Sequence, residues 1–245
     1  MAAGDESDGE LLTILRGRRL GDIGDVIAVM DRIDRALPDR DGLKWFNWLY
    51  KLVTEAIFGE SAATWEDPAW IRELDVLFAE LYFDGIERCL TDPRRAPRSW
   101  RTLHERRNQP GIARVQFAVA GINAHVNRDL AVALVRAWQA RGISGPCRRT
   151  PQYRDYNRIN TILEEVEIRA LGELATDLLR TADRVLGRAD DWAALQILKT
   201  AREVAWTHGR RLARLGLGSS AGGRHVRMLD EIAAAYSRAM LTPLG

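Results

Sequence analysis

The stretch that decides the fold runs from Ala120 to Leu130, A-G-I-N-A-H-V-N-R-D-L, and it sets Asn123, His125, Asn127 and Asp129 inside the most apolar helix-like part of the chain. Val115 to Gly121 before it reads V-Q-F-A-V-A-G, and Leu130 to Trp138 after it is nearly as apolar. The periodicity therefore predicts one long helix over about 112–141. At about 100° per residue, Gln116, Asn123 and Asn127 share one face, while His125 and Asp129, four apart, share the opposite one. A helix that is apolar most of the way round belongs at the centre of a bundle. Amides, an imidazole and a carboxylate at such a place need hydrogen-bond partners.

Working outward, apolar positions at helical spacing predict further helices. Ile23, Val26, Ile27, Met30 and Ile33 mark one that stops at Pro38, where P-D-R-D-G forms a turn. Phe46, Leu49, Tyr50, Val53 and Ile57 mark the next. Asp67-Pro68 supplies an N-cap and a first-turn proline for a helix reaching about Cys89, and Thr150-Pro151 repeats that signal for a long helix over about 152–185. A helix from Asp191 to about Leu215 comes after it, with Asp190-Asp191 as its cap, and a last one runs from Arg224 to Met240. No alternating β-branched runs bounded by hairpin turns occur. The sequence thus predicts an all-α, single-domain bundle of six to eight helices around the central one. Residues 1–9 are expected to be loose, 10–215 the helical domain, 216–223 a flexible connection, and 224–245 the C-terminal helix and tail.

The 245 residues, 46% of them hydrophobic, are enough to bury a substantial core. Lys and Arg total 36 against 34 acids, a net charge of +2 that gives no steering field for nucleic acid or an anionic membrane. No apolar run approaches the roughly 20 residues that span a bilayer. The acidic N-terminus lacks the basic and apolar regions of a signal peptide. Two cysteines, Cys89 and Cys147, form no C-x-x-C pair, and reduced thiols in a cytoplasm fit them best.

Several blocks stand together in the chain: P-D-R-D-G-L-K-W-F-N-W-L-Y at 38–50, L-D-V-L-F-A-E-L-Y-F-D at 74–84, F-A-V-A-G-I-N-A-H-V-N-R-D-L at 117–130, D-Y-N-R-I-N at 155–160 and A-R-E-V-A-W at 201–206. In these blocks, and most specifically in A-G-x-N-A-H-x-N-x-D-L, the sequence resembles an actinobacterial family, domain of unknown function 5995. The resemblance spans about Asp31 to Leu215 and leaves the glycine and serine run and the last helix outside. It implies a shared scaffold built on the hub helix, and no particular activity. An actinobacterial setting points, by association alone, to specialised metabolism.

His125 and Asp129 are the acid-base candidates, since i and i+4 side chains meet on a helix and a carboxylate orients an imidazole. The same pair serves equally well as a structural tie between helices. As metal ligands they need a third, for which Asp75, Glu80 and Asp155 are the candidates, but no second ligand motif accompanies them, and neither a metal nor another cofactor is expected. Asn123 and Asn127 can only exchange hydrogen bonds, with a substrate or with Asp155, Asn160, Glu164 and Arg202 of later helices. The tryptophans, Trp45 and Trp206 among them, suit either an apolar pocket or an ordinary core. Asn157, Thr161 and Glu165 resemble the second magnesium motif of class I terpene synthases, yet no D-D-x-x-D precedes them, and a solvated helix face explains them. Arg94, Arg95, Arg98, Arg101, Arg106 and Arg107 form the densest basic cluster, suited to a phosphate group, an acyl carrier protein or RNA, but no nucleic-acid recognition motif accompanies it. The sequence supports three readings. The first is a cofactor-independent cyclase, isomerase or hydrolase working on a small, largely apolar substrate by general acid-base catalysis; the second is a binding or scaffold protein whose polar hub only fixes packing; the third is a metal-dependent lyase or hydrolase, a terpene-synthase-like one included.

Overall fold

The computed structural model describes residues 2–178 and 188–243, and among these the regular structure is all helical, without strands. In order, the helices are α1 (Ala2–Arg16), α2 (Ile23–Ala36), α3 (Gly42–Gly59), α4 (Pro68–Thr91), α5 (Arg98–Arg106), α6 (Arg114–Ala124), α7 (Leu130–Ala140), α8 (Pro151–Leu178), α9 (Arg188–Leu215) and α10 (Ser220–Met240). The caps fall where the side chains dictate. Asp22 and Asp25 close a capping box on α2. Asp67 accepts from the Trp70 amide with Pro68 in the first turn of α4.

The central rod is α6 and α7 joined by one π-helical segment, His125–Asp129, in which the Leu130 amide donates to the carbonyl of His125. A π turn inserts a residue into the helical register and rotates the next turns about the axis, a departure that concentrates at functional positions. The rod is therefore continuous, as the periodicity predicts, but not uniform. Its α7 half buries Leu130 through Val135 together with Ala137 and Trp138, and packs against α4 and α9. One core gathers there around Trp70, Trp138 and Trp206. A second forms around Phe46, Tyr82 and Trp100 under α1, α2 and α3. The π segment lies at the junction of the two.

Close approach of the helices depends on missing side chains. A Cβ on Gly121 would stand 2.3 Å from the Phe46 ring, and one on Gly85 2.6 Å from Trp100. These two glycines let α3 lie on α6 and let Trp100 of α5 slide under α4.

The ends differ from the sequence expectation. Residues 2–9, expected to be loose, open α1, and Asp8 forms an ion pair with the buried Arg107. The stretch at 216–223, expected to be a flexible connection, includes the Ser219 cap and the first turn of α10. That helix is no appendage: its carbonyls and Ser237 receive the Asn face of the rod. Asn123 Nδ2 donates to Ala233 O at 2.7 Å and to Ser237 Oγ at 2.9 Å, and Gln116 Nε2 donates to Met240 O and Thr242 O, both at 2.8 Å. Asp190 and Asp191 lie within α9, which starts at Arg188, so they do not cap it. The helix expected over 152–185 is α8 as far as Leu178, and its remainder lies outside the described residues.

Candidate functional site

A cavity of about 920 Å³ lies between the rod and helices α3, α4, α8, α9 and α10, within the range of small-molecule sites. Its wall is mostly aliphatic and aromatic. It reaches the surface at Val119, Ile197, Val204, Ile232 and Tyr236, which account for most of the large apolar side chains exposed among the described residues. Its inner wall carries His125, Tyr50 and Asp75, which are only 2%, 7% and 6% exposed.

His125 and Asp129 meet as their spacing predicts, with Nδ1 and Oδ2 3.2 Å apart. The carboxylate is completely buried and does not line the cavity; it stands behind the imidazole. Trp100 Nε1 donates to the same Oδ2 at 2.7 Å, and Arg128 forms an ion pair with Oδ1. Burial alone would raise the pKa of Asp129, but the Arg128 guanidinium and the bond to His125 outweigh it and hold the group below the usual carboxylate range. Burial pushes the His125 pKa down, although the bond to Asp129 opposes this. The imidazole is therefore neutral near pH 7. With Nδ1 donating to an ionised carboxylate, the lone pair sits on Nε2.

Aromatic rings fix that imidazole. Phe78 stacks on one face, and Tyr50 meets it edge-on with centroids 4.6 Å apart. Phe46 and Trp100 close the sides at 5.7 and 5.9 Å.

Three polar atoms in this inner wall are buried without a hydrogen-bond partner: His125 Nε2, Tyr50 Oη and Asp75 Oδ2. Asp75 is raised to about 7 by burial alone. Tyr50 is pushed well above the ordinary phenol value, first by burial and then by the neighbouring charge of Asp75. Close to neutrality the wall thus holds a base, a protonated phenol and a carboxyl poised near its midpoint. Sequence reasoning found His125 but gave Tyr50 no role and weighed Asp75 only as a metal ligand. A signal existed: Asp75 falls in the apolar stripe of Ile71, Leu74, Phe78 and Tyr82, where a carboxylate is out of place.

The other expected site residues divide. Asn123 and Asn127 line the cavity, with Asn127 Nδ2 donating to Asn123 Oδ1 at 2.8 Å. Arg202 lines it as well. Asp155 does not: both its oxygens accept from the amides of Glu66 and Asp67, which fixes the start of α4 to α8. Asn160 accepts from Arg202 Nε at 2.8 Å and lies outside the wall. Trp45 lies outside it too, giving its indole N–H to Asp39 O with Arg114 over its ring. Trp206 belongs to the core, packed among Trp70, Trp138, Tyr153 and Tyr156.

Among the described residues no three His, Cys, Asp or Glu side chains come together as a metal-holding group; Glu80 is paired with Arg136. Thr161 and Glu165 face solvent, as a solvated helix face requires. The arginine cluster is largely engaged within the chain. Arg107 pairs with Asp8 and Asp41, Arg98 with Glu231, Arg101 with Glu105 and Arg95 with Asp92, while Arg106 donates to Leu241 O. None of the helices among the described residues is long and apolar enough to cross a membrane.

Fold and site together define an all-α protein with an apolar chamber whose inner wall carries an imidazole backed by a buried carboxylate. The chain belongs to the family of unknown function DUF5995, which matches residues 23–243 and so takes in α10 as well as the rod. No curated protein and no solved structure matches it.

Proposed function

We propose that this protein is an intracellular enzyme that encloses a small, largely apolar molecule and rearranges or cleaves it by general acid-base catalysis, as an isomerase, cyclase or hydrolase of specialised metabolism. The observation that carries the reading is the trio of unpartnered polar atoms on the inner wall of a largely apolar chamber. Buried polar groups are almost always paired. Other buried atoms of the described residues also lack a partner, the indole nitrogens of Trp70, Trp138 and Trp206 among them. Of these residues only His125, Tyr50 and Asp75 line the cavity, and their shifted proton affinities support reading them as groups that meet a ligand.

In this mechanism His125 Nε2 takes a proton from the substrate, and Asp129 stabilises the imidazolium through Nδ1. Trp100 and Arg128 keep that carboxylate ionised and in place. The Tyr50 hydroxyl donates to an oxygen of the substrate as negative charge develops there. Protonated Asp75 returns a proton at a second position, and exchange with water resets both groups. Asn127 holds a polar substituent at the wall, and Asn123, itself fixed to α10, keeps it in place. Two cysteines without a disulfide, Cys89 and Cys147, fit an intracellular setting.

The test starts with native mass spectrometry of the protein from its own host, which identifies the molecule that co-purifies. Incubation of that molecule with the protein in heavy water then reads proton exchange. Wild type is expected to incorporate deuterium, and His125→Gln to lose at least about 100-fold in rate with little change in melting temperature. Undiminished exchange in a folded His125→Gln protein refutes the role of the imidazole. A variant that unfolds instead marks the residue as structural.

A further inference from the structure

Arg202 is a guanidinium only 5% exposed that lines the same cavity at its α8 edge. Its partners are all uncharged. Nε donates to Asn160 Oδ1 at 2.8 Å, Nη2 donates to Tyr156 O at 2.6 Å, and the group lies over the Tyr156 ring at 4.3 Å. Among the described residues no carboxylate pairs with it. The remaining N–H donors of its fork have no acceptor there.

A buried cation without a counter-ion is an expensive arrangement, because desolvation is not repaid by a partner charge. The other buried guanidinium among the described residues, Arg107, shows the usual solution, with Asp8 and Asp41 against it. Nearby charges of the same helix are engaged elsewhere: Glu203 with Arg148 and Tyr153, and Lys199 with Glu164. Arg202 is thus held rigid by neutral acceptors, in an apolar chamber, with its charge unanswered.

We propose that the ligand of this cavity is an apolar carboxylic acid whose carboxylate pairs with Arg202 while its hydrocarbon part fills the chamber toward His125 and the apolar mouth. A planar guanidinium matches a carboxylate in two parallel hydrogen bonds. Val119, Ile232 and Tyr236 offer further apolar surface for a long chain. The proposal rests on the cavity being the ligand site, as the enzymatic reading does, but it concerns binding and needs no turnover.

The experiment is calorimetry on the full-length wild-type protein with hexadecanoate and 1-hexadecanol, below the concentrations at which they aggregate. Hexadecanoate is expected to bind at least about tenfold more tightly, the scale of one charge-assisted pair. Arg202→Gln is expected to abolish that preference and Arg202→Lys to retain part of it. Equal affinity for acid and alcohol in wild type, or no binding of either, overturns the proposal, and neither outcome depends on a variant folding. Acid binding without proton exchange on any substrate removes the enzymatic reading and leaves this one standing. Exchange on a neutral molecule with no preference for acids does the reverse.

Discussion

Phe78 lies flat against His125, with ring centroids 3.4 Å apart and planes 4° from parallel. The ring keeps water off that face of the imidazole, and exclusion of water is what holds it neutral. Phe78→Ala removes the ring and opens the face to water. The His125 pKa is expected to move up toward its ordinary value, read by NMR titration of the ring, with a stability loss of about 3 kcal/mol. An unchanged titration would assign the depression to the rest of the aromatic box.

Asp75 governs a pH dependence of unusual sign. Its folded-state pKa of about 7 lies above the ordinary 3.8, so between those values the folded chain holds a proton that the unfolded chain releases. Stability therefore falls as pH rises through this window and levels off above it. Asp75→Asn removes the effect: at pH 8 the variant is expected to be more stable than wild type by on the order of 3 kcal/mol, and near pH 4 roughly equal. Denaturant melts at the two pH values check this. His125 acts oppositely, because its depressed pKa makes the unfolded chain the better proton acceptor below about 6.5, so stability is lost on that acid side.

The same two groups shape activity. A neutral His125 and a protonated Asp75 coexist only in a narrow band, which predicts a bell-shaped rate profile. Its acid limb lies below the ordinary histidine value, and its alkaline limb is near 7. Asp75→Asn should erase the alkaline limb along with most of the rate. A profile that keeps that limb in the variant would assign it to another group.

Asp129 gathers Trp100, His125 and Arg128. Asp129→Asn leaves the guanidinium without its counter-charge and is expected to lower stability by about 3 kcal/mol. Trp100→Phe removes one hydrogen bond to a charged acceptor together with part of a fully buried ring, and should lose about 2 kcal/mol. Chemical denaturation ranks the two, and an inverted order would mean that Trp100 acts mainly through packing.

Gly85 leaves the space that Trp100 occupies. Gly85→Ala pushes the indole off Asp129 and is expected to lower stability by about 1–3 kcal/mol, despite the better helix propensity of alanine. Indole fluorescence and the His125 titration should shift together if the displacement reaches the carboxylate.

Legibility in the chain differs from residue to residue. Asp67-Pro68 and Thr150-Pro151 start their helices for local reasons, and both starts stand in the structure. The meeting of His125 with Asp129 comes from spacing within one helix. Asn160 and Arg202 bond to each other, whereas the Asn123 amide expected to meet them goes to α10, and of the two only Arg202 lines the cavity. Asp155 reads as a ligand group in one dimension because nothing local shows that its oxygens accept from the backbone just ahead of α4.

The sequence by itself determined the helical class, the rod at its centre and the polar positions along it, because helical periodicity and capping are properties of neighbours in the chain. Only the tertiary structure decided that Gln116 and Asn123 of the Asn face are spent on α10, that Asp129 stands behind the imidazole, and that Tyr50 and Asp75 join His125 on the wall of one cavity. Those outcomes turn on which helices pack together and where space is left between them, and on a one-residue π insertion that re-aims the rod. Hydrogen bonds across some 110 residues, such as Asn123 to Ala233, leave no periodic trace in the chain that makes them.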